Sequence, residues 1–166
     1  PFPRGRGEED LDAYDALTEL FGASGGSTLY RADMLRDVGL FDEDFFAYFE
    51  DVDLSWRARL RGWRVVLAPT AVASHRIGAT SGRIPGFTTY QTLKNLFWVV
   101  AKNVPRRYLA TVVPRLALAY TLTFWRAVVH GNGAVAVKGV VVAVAKMPKK
   151  LGQRRAIQRG RRIDDE

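Results

Sequence analysis

Three carboxylates stand close together near the centre of the first half of the sequence, at Glu50, Asp51 and Asp53. A run rich in aromatic rings and further carboxylates precedes them, from Phe41 to Phe49. Large rings need burial whereas carboxylates need partners or water, so this alternation is costly in an ordinary core or surface. It is typical of a catalytic cleft, where an ionised carboxylate can act as a general base.

The pattern predicts that a helix holds these carboxylates at one of its ends. The helix should run from Glu50 to Arg61 and stop at Gly62, with Asp51 in its first turn. The helix dipole favours negative charge there and helps to keep Asp51 ionised. Asp53 and Arg57 are four residues apart, in the order that favours an ion pair on one helix face.

A strand that returns along this helix would bring a histidine to the carboxylates. Trp63 to Ala68 is rich in β-forming residues and is followed by Pro69. At about 1.5 Å per helical residue and about 3.3 Å per strand residue, the two elements have similar lengths. We therefore expect His75 to lie near Asp51.

The chain before residue 40 is predicted to form short elements around a glycine-rich loop. These are a helix from Glu8 to Phe21, a strand from Thr28 to Tyr30 and a helix from Arg31 to Val38. The loop, Gly22 to Ser27, contains Gly25 and Gly26, whose lack of a side chain lets a ligand approach closely. It has neither GxGxxG nor GK[ST] spacing, so a plain loop and a ligand-facing loop are equally compatible with it.

The second half of the chain is predicted to be helical. A loop from Arg76 to Gly86 comes first, and its arginines, Arg76 and Arg83, could bind phosphate unless the loop is simply mobile. Phe87 to Lys102 is the next predicted helix, with apolar residues on one face. The final stretch, 151–166, is predicted to be a basic tail, poorly ordered at its end.

Two apolar segments, Arg106 to Val129 and Ala134 to Met147, lie between that helix and the tail. Their charge-free runs fall short of the ~20 residues needed to cross a bilayer. On helices their basic residues would form stripes, at Arg107, Arg115, Arg126, Lys138 and Lys146. This pattern predicts helices that lie in a membrane interface. A packed helical hairpin with a basic solvent face would have the same pattern.

Charge is unevenly distributed between the two halves. Residues 1–83 carry 10 basic and 14 acidic side chains, whereas residues 84–166 carry 15 basic and 3 acidic ones. A basic half of this kind usually faces nucleic acid or phospholipid, and apolar residues between the basic ones favour lipid and make nucleic acid unlikely as the partner. The absence of cysteine excludes a disulfide scaffold and a thiolate metal site.

An ordered series of short motifs runs through the centre of the chain. It consists of Gly22-Ala23, Gly26, Tyr30-Arg31, Val38 to Glu43, Phe45-Phe46, Tyr48, Glu50 to Leu54, Arg57, Gly62, Pro69, His75 and Gly78. The series resembles the C-terminal half of the catalytic domain in family 2 of the inverting, nucleotide-sugar-dependent glycosyltransferases. The resemblance implies an α/β fold for residues 1–83, the second half of a GT-A domain. The following helices, residues 84–150, resemble the membrane-associating extension of rhamnosyltransferase-like members.

The resemblance also implies roles for individual residues. Asp51 matches the general base that deprotonates the acceptor hydroxyl, and Glu50 is its neighbour in the site. His75 matches a histidine that helps to hold a divalent metal, Mg²⁺ or Mn²⁺, or the donor diphosphate. Such a cation would neutralise the departing diphosphate. The candidate substrate-binding residues are Gly25, Gly26, Asp53, Arg57, Arg76 and Arg83.

The implied reaction transfers a sugar, with rhamnose as the candidate, from a nucleotide-diphospho-sugar to a cell-envelope glycan or lipid-linked acceptor. It would occur with inversion, at the cytoplasmic face of the bacterial inner membrane, on a peripheral protein. The family's donor-binding first half has no counterpart in this sequence, so we expect a fragment that is inactive by itself. The alternative is a non-catalytic basic module that binds membranes or nucleic acid. In that case Glu50 and Asp51 would only cap a helix.

Overall fold

The computed structural model describes residues 19–71, 73–74 and 81–163, and these are mostly helical. The helices are α1 (Ala32–Val38), α2 (Glu50–Leu60), α3 (Phe87–Asn103), α4 (Leu109–Val129), α5 (Gly133–Ala145) and α6 (Met147–Arg159). Short 3₁₀ turns at Ser81–Arg83 and Arg106–Tyr108 precede α3 and α4. The prediction that the second half is helical is therefore confirmed for its described residues.

A two-stranded antiparallel sheet joins β1 (Glu19–Leu20) to β2 (Val65–Val66), with Glu19 opposite Val66. The predicted strand at Trp63 to Ala68 is thus confirmed only in its middle. Glu19 and Leu20 were predicted to end a helix, which is wrong, because β2 offers a ladder partner far along the chain. The rest of that predicted helix lies outside the described residues. So small a sheet does not test the GT-A prediction, which stays a prediction.

The helices of the first half end where glycine permits it. α1 stops at Gly39, with φ 82°, and α2 is followed by Gly62, with φ 85°. Both glycines have the left-handed backbone that side chains disfavour. The predicted strand from Thr28 to Tyr30 is wrong, since these residues have no strand partner in the described part of the chain.

Helix α3 is the centre of the helical packing, with α2, α4, α5 and α6 around it. Trp98 of α3 is fully buried, stands edge-to-face with Phe45 at 5.7 Å and donates a hydrogen bond to the Ala143 carbonyl at 2.9 Å. This core joins the two halves of the chain. α5 packs tightly on α3 at Gly139, where an added Cβ would lie 3.0 Å from the Tyr90 carbonyl oxygen.

This close approach leads to a stability prediction for Gly139→Ala. The extra methyl group should overpack the contact between α3 and α5, and overpacking typically costs ~1–3 kcal/mol. The matched control is Gly152→Ala on α6, where an added Cβ meets nothing within 4 Å. Both variants gain helix propensity, ~1 kcal/mol. Urea denaturation should place G139A ~1–3 kcal/mol below G152A, and equal stabilities would contradict this packing.

The segment predicted to be a basic tail is instead folded. α6 packs against α3 and α2, and the chain continues along α2, where the Arg162 N–H donates to the Leu60 carbonyl at 2.9 Å. Arg162 also pairs with Asp37 at 3.0 Å. The prediction of a basic tail is therefore wrong for residues 151–163, because distant acidic groups provide partners for this basic segment. Residues 164–166 lie outside the described residues.

The apolar segment at Arg106–Val129 forms one helical stretch of 24 residues. By length and composition it is long and apolar enough to cross a membrane, although its charge-free runs are shorter than that, and the predicted interfacial position stays a prediction. A spanning helix tolerates a few charges, here Arg115 and Arg126. Length and composition do not separate a helix that crosses a bilayer from one that lies on it.

Candidate functional site

The loop before α2 has an unusual backbone. Phe46, Tyr48 and Phe49 have φ values of 64°, 63° and 69°, in the left-handed region. This conformation costs roughly 1–2 kcal/mol for each non-glycine residue, so surrounding contacts must hold it. Phe49 is the N-cap of α2. The loop therefore sets the direction in which the carboxylates at the start of α2 point.

Asn95 of α3 supplies much of that support. Its side chain is completely buried, and its two Nδ2 hydrogens are shared among the carbonyls of Phe45, Ala47 and Tyr48, at 3.0, 2.8 and 2.7 Å. Lys94 adds a hydrogen bond to the Asp44 carbonyl at 3.0 Å. Asn95 was not predicted as a site residue from the sequence. Its only signal was a polar residue inside a largely apolar helix, which does not reveal a loop about 50 residues away.

Asp51 lies in the first turn of α2, as predicted, and two backbone groups orient its carboxylate. Oδ1 accepts the Val52 N–H at 2.8 Å, and Oδ2 accepts the Gly25 N–H at 3.0 Å. Gly25 therefore sits directly over the carboxylates. A Cβ added there would lie 3.5 Å from the Asp51 Cβ and 4.0 Å from Glu50 Oε1. The geometry brings the glycine-rich loop to the carboxylates, and Gly26 beside it is exposed.

A second contact fixes the same loop on α2. The Ala23 N–H donates to Ser55 Oγ at 3.3 Å. Gly22 packs so closely on Ser55 that an added Cβ would lie 2.7 Å from the serine Cβ. Ser55 was not predicted from the sequence. Only a glycine can occupy this position without displacing the loop from the carboxylates.

Glu50 and Tyr30 bring two unsatisfied oxygen atoms to the site. Glu50 Oε2 and the Tyr30 hydroxyl are buried and have no hydrogen-bond partner among the described residues. Burial raises the pKa of Glu50, and the negative charge of Asp51 acts in the same direction. Burial also raises the pKa of Tyr30, with the charges of Asp51 and Glu50 contributing. A ligand hydroxyl could satisfy such atoms.

The raised pKa of Glu50 predicts a pH effect. A carboxyl whose pKa is higher in the folded state favours folding below its unfolded pKa, and this contribution is lost as pH rises through the folded value. Glu50→Gln should therefore make the protein more stable than wild type above that pH, while below the unfolded pKa the difference should vanish. Thermal denaturation between pH 3.5 and 8 measures this. A variant less stable than wild type at neutral pH would contradict it.

Asp53 and Arg57 form the predicted ion pair, with 2.9 Å between Arg57 Nε and Asp53 Oδ2. Asp53 is fully buried, and its other oxygen contacts Lys102 at 2.9 Å and Asn103 at 2.8 Å. The remaining donors of Arg57 bind the carbonyls of residues 38, 39 and 40. That Asp53 and Arg57 bind substrate stays a prediction, and the burial of the pair disfavours it. The pair holds the loop and α2 together.

Lysines of the second half neutralise the acidic loop of the first. Asp42 contacts Lys102 at 2.6 Å and Lys150 at 2.8 Å, and both lysines are almost completely buried. Burial alone would raise the pKa of Asp42, but the hydrogen bonds from these lysines outweigh it and lower the pKa to about 2. Asp44 binds Lys146 at 2.6 Å. Lys146 was predicted to face a membrane; its side chain is exposed as well as paired with Asp44, so that prediction stays a prediction.

The remaining predicted site residues are not brought into the cluster. His75 and Arg76 lie outside the described residues. Arg83 is exposed on the 3₁₀ turn before α3. In the described part of the chain, no group of three or more His, Cys, Asp or Glu side chains could hold a metal ion. The described residues offer no such group, and the predicted Mg²⁺ or Mn²⁺, with His75 as its candidate ligand, stays a prediction.

Comparison with known proteins finds a relative for part of the chain. Over 62 residues it is 42% identical to the N-acetylglucosaminyl-diphospho-decaprenol L-rhamnosyltransferase of Mycobacterium tuberculosis, in strains CDC 1551 / Oshkosh and ATCC 25618 / H37Rv. The chain is thus related in part to a glycosyltransferase. The matched stretch is 37% of this chain, and the chain spans about a fifth of the length of these curated relatives, 20%.

No family model and no solved structure matches the chain. The glycosyltransferase relationship supports the coarse form of the sequence-based prediction. Membership of family 2, the GT-A fold and inversion are finer statements and stay predictions.

Proposed function

We propose that this chain carries the general base of a glycosyltransferase that acts on a lipid-linked or glycan acceptor. The observation that carries the proposal is the geometry of Asp51. Its carboxylate stands in the first turn of α2, is oriented by the Gly25 and Val52 N–H groups, and is partly open to solvent. A fixed, accessible carboxylate is what deprotonation of a hydroxyl requires.

The proposed step is a single displacement. The acceptor oxygen forms a bond to the anomeric carbon of the sugar while the bond from that carbon to the diphosphate oxygen breaks. The acceptor proton passes to Asp51, and the nucleoside diphosphate leaves with the bonding electron pair. Attack opposite to the leaving group inverts the anomeric centre. The partial similarity to a rhamnosyltransferase supports L-rhamnose as the sugar and an N-acetylglucosaminyl-diphospho-polyprenol as the acceptor.

Glu50 and Tyr30 would contribute to acceptor binding. Both oxygens are buried without a hydrogen-bond partner among the described residues, and the charge of Asp51 acts on both groups, so an acceptor with several hydroxyl groups could bind both. The donor-binding residues and any metal ligands are to be sought outside the described residues, His75 among them. The described residues alone are accordingly expected to show no turnover.

The transfer assay uses the whole protein that carries this chain. Radiolabelled nucleoside-diphospho-sugars, including the L-rhamnose donor, are incubated with N-acetylglucosaminyl-diphospho-polyprenol and membranes. Labelled lipid whose formation depends on the acceptor supports the proposal. Hydrolysis of the donor without transfer, or no reaction with any donor, would contradict it.

We also propose that α4 and α5 associate with the cytoplasmic surface of the bacterial inner membrane. Only Ala127 of α4 is buried. A stripe of large apolar side chains is exposed along the helix: Leu118, Leu122, Trp125 and Val129. Exposed Arg115 and Arg126 border this stripe. α5 adds exposed valines, and an apolar surface with basic edges suits an anionic membrane.

Liposome co-sedimentation tests this association. We expect strong binding of the full chain to anionic vesicles and weak binding to neutral ones, with partial release by salt, since each basic residue near the surface contributes ~1 kcal/mol. Leu122→Gln with Trp125→Gln should weaken binding to both kinds of vesicle. Protease protection of α4 separates a crossing helix from one lying on the surface. Binding unaffected by the α4 variant would contradict the assignment.

A further inference from the structure

A cavity lined almost entirely by arginine opens between the 3₁₀ turn Arg106–Tyr108 and the C-terminal half of α6. Its volume is about 400 Å³. Six arginines and one glutamine line it, among them Arg106, Arg154, Arg155 and Arg159. No carboxylate of the described residues lines this cavity, and Asp51 lies outside it.

Two of the lining residues, Arg154 and Gln158, are held by contacts with the end of α3. Arg154 Nη1 donates to the carbonyls of Ala101 and Val104 at 2.9 and 2.8 Å, and Gln158 Nε2 donates to that of Asn103 at 3.0 Å. Burial lowers the pKa of Arg154, and the positive charge of Arg106 acts in the same direction. An anion in the cavity would relieve this repulsion.

Three other lining residues have exposed guanidinium groups. Arg106, Arg155 and Arg159 are exposed, and the last two are one helical turn apart on α6. Guanidinium groups bind phosphate oxygens in pairs, with two parallel hydrogen bonds. Lys102 and Lys150, the buried lysines of α3 and α6, are instead turned to Asp42 and Asp44, which neutralise them. The arginine cavity therefore has the chemistry of a phosphate site.

The neighbouring surface indicates the source of the phosphate. Arg106 begins the 3₁₀ turn that leads directly into α4, the helix with the exposed apolar stripe. A phosphate held beside such a helix has the arrangement of a lipid headgroup next to its acyl chains. We propose that the arginine cavity binds the phosphate of an anionic lipid headgroup. The inference rests on the proposed membrane association and is independent of transfer at Asp51.

Vesicles of matched surface charge test the proposal with the full chain. One set contains phosphatidic acid in phosphatidylcholine, and the other contains cholesteryl hemisuccinate, a carboxylate lipid, in place of the phosphatidic acid. We expect wild type to prefer phosphatidic acid about tenfold. Arg155→Gln with Arg159→Gln should lower that binding by about tenfold or more and bring the two lipids level, because each surface basic residue contributes roughly fivefold. The control, Arg36→Gln with Arg64→Gln, removes equal charge elsewhere and should keep the preference.

Each other outcome overturns a defined part of the proposal. Equal wild-type binding to both vesicles, or loss of preference in the control, rejects the cavity as a phosphate site while membrane association stands. Micromolar binding of inorganic diphosphate that needs Arg155 and Arg159, without a lipid preference, assigns the cavity to a soluble phosphate. Retention on duplex DNA that depends on the same pair assigns it to nucleic acid. No binding to any vesicle rejects the membrane association too, while the transfer assay is unaffected.

Discussion

Asp51→Asn is expected to abolish nearly all sugar transfer while leaving donor binding close to normal. The amide keeps the shape of the carboxylate and can still accept the Gly25 N–H, but it cannot take the acceptor proton. Loss of a general base typically costs ~10²–10⁴ in rate. The measurement is kcat in the whole protein, with donor affinity determined separately by equilibrium binding.

The matched control is Asp33→Asn, an exposed carboxylate on α1 that pairs with Arg36 at 2.5 Å. It removes the same charge and should keep wild-type turnover. If Asp51→Asn retained more than about a tenth of wild-type kcat, the general base would have to be another group. A loss of donor affinity as large as the loss of rate would instead indicate that the site had collapsed.

Arg57→Met is expected to be the most destabilising single change described here. It removes one of the two cationic partners of fully buried Asp53 and four hydrogen bonds, three of them to carbonyls at and just after the end of α1. Breaking a buried ion pair by removing one partner typically costs ~3–5 kcal/mol. Urea denaturation of wild type and variant measures the difference.

Arg59→Met provides the comparison on the same helix. Arg59 pairs with Glu19 near the surface, with side chains 30% and 41% exposed, and such pairs are worth ~0–1 kcal/mol. If Arg57→Met were no more destabilising than Arg59→Met but raised KM for donor or acceptor, Arg57 would return to the substrate-binding role predicted from the sequence.

Local chemistry was enough to predict the centre of the site. The acidic first turn, the glycine after the helix and the acid-to-arginine spacing are all contained within about a dozen residues, and the structure confirms α2 and its ion pair. Gly25 was a candidate because glycine leaves room for a ligand. Its hydrogen bond to Asp51 depends on how the loop docks on Ser55, which the sequence does not show.

What could not be predicted depends on long-range contacts. Basic residues at the end of the chain have the composition of a solvated tail, and only the position of Asp42 and Asp44 reveals that Lys150 is buried. β1 was mistaken for helix because its partner lies more than 40 residues away. Asn95 belongs to no recognisable sequence motif. It binds backbone carbonyls, and because every residue has one, the sequence does not show which residues it will contact.

Asp42 and Lys150 are 108 residues apart in the sequence, so the ribosome makes the two partners at very different times. The carboxylates at the start of α2 leave the ribosome early, but the left-handed loop beside them has no clamp until Asn95 emerges. Asp42 and Asp44 in the acidic loop lack the lysine partner Lys150 until α6 has been made. Closing so long a loop costs entropy that only the finished contacts repay. We therefore expect a nascent or prematurely terminated chain to be unable to arrange Asp51 for reaction, so that acceptor deprotonation begins only after α6 has been translated.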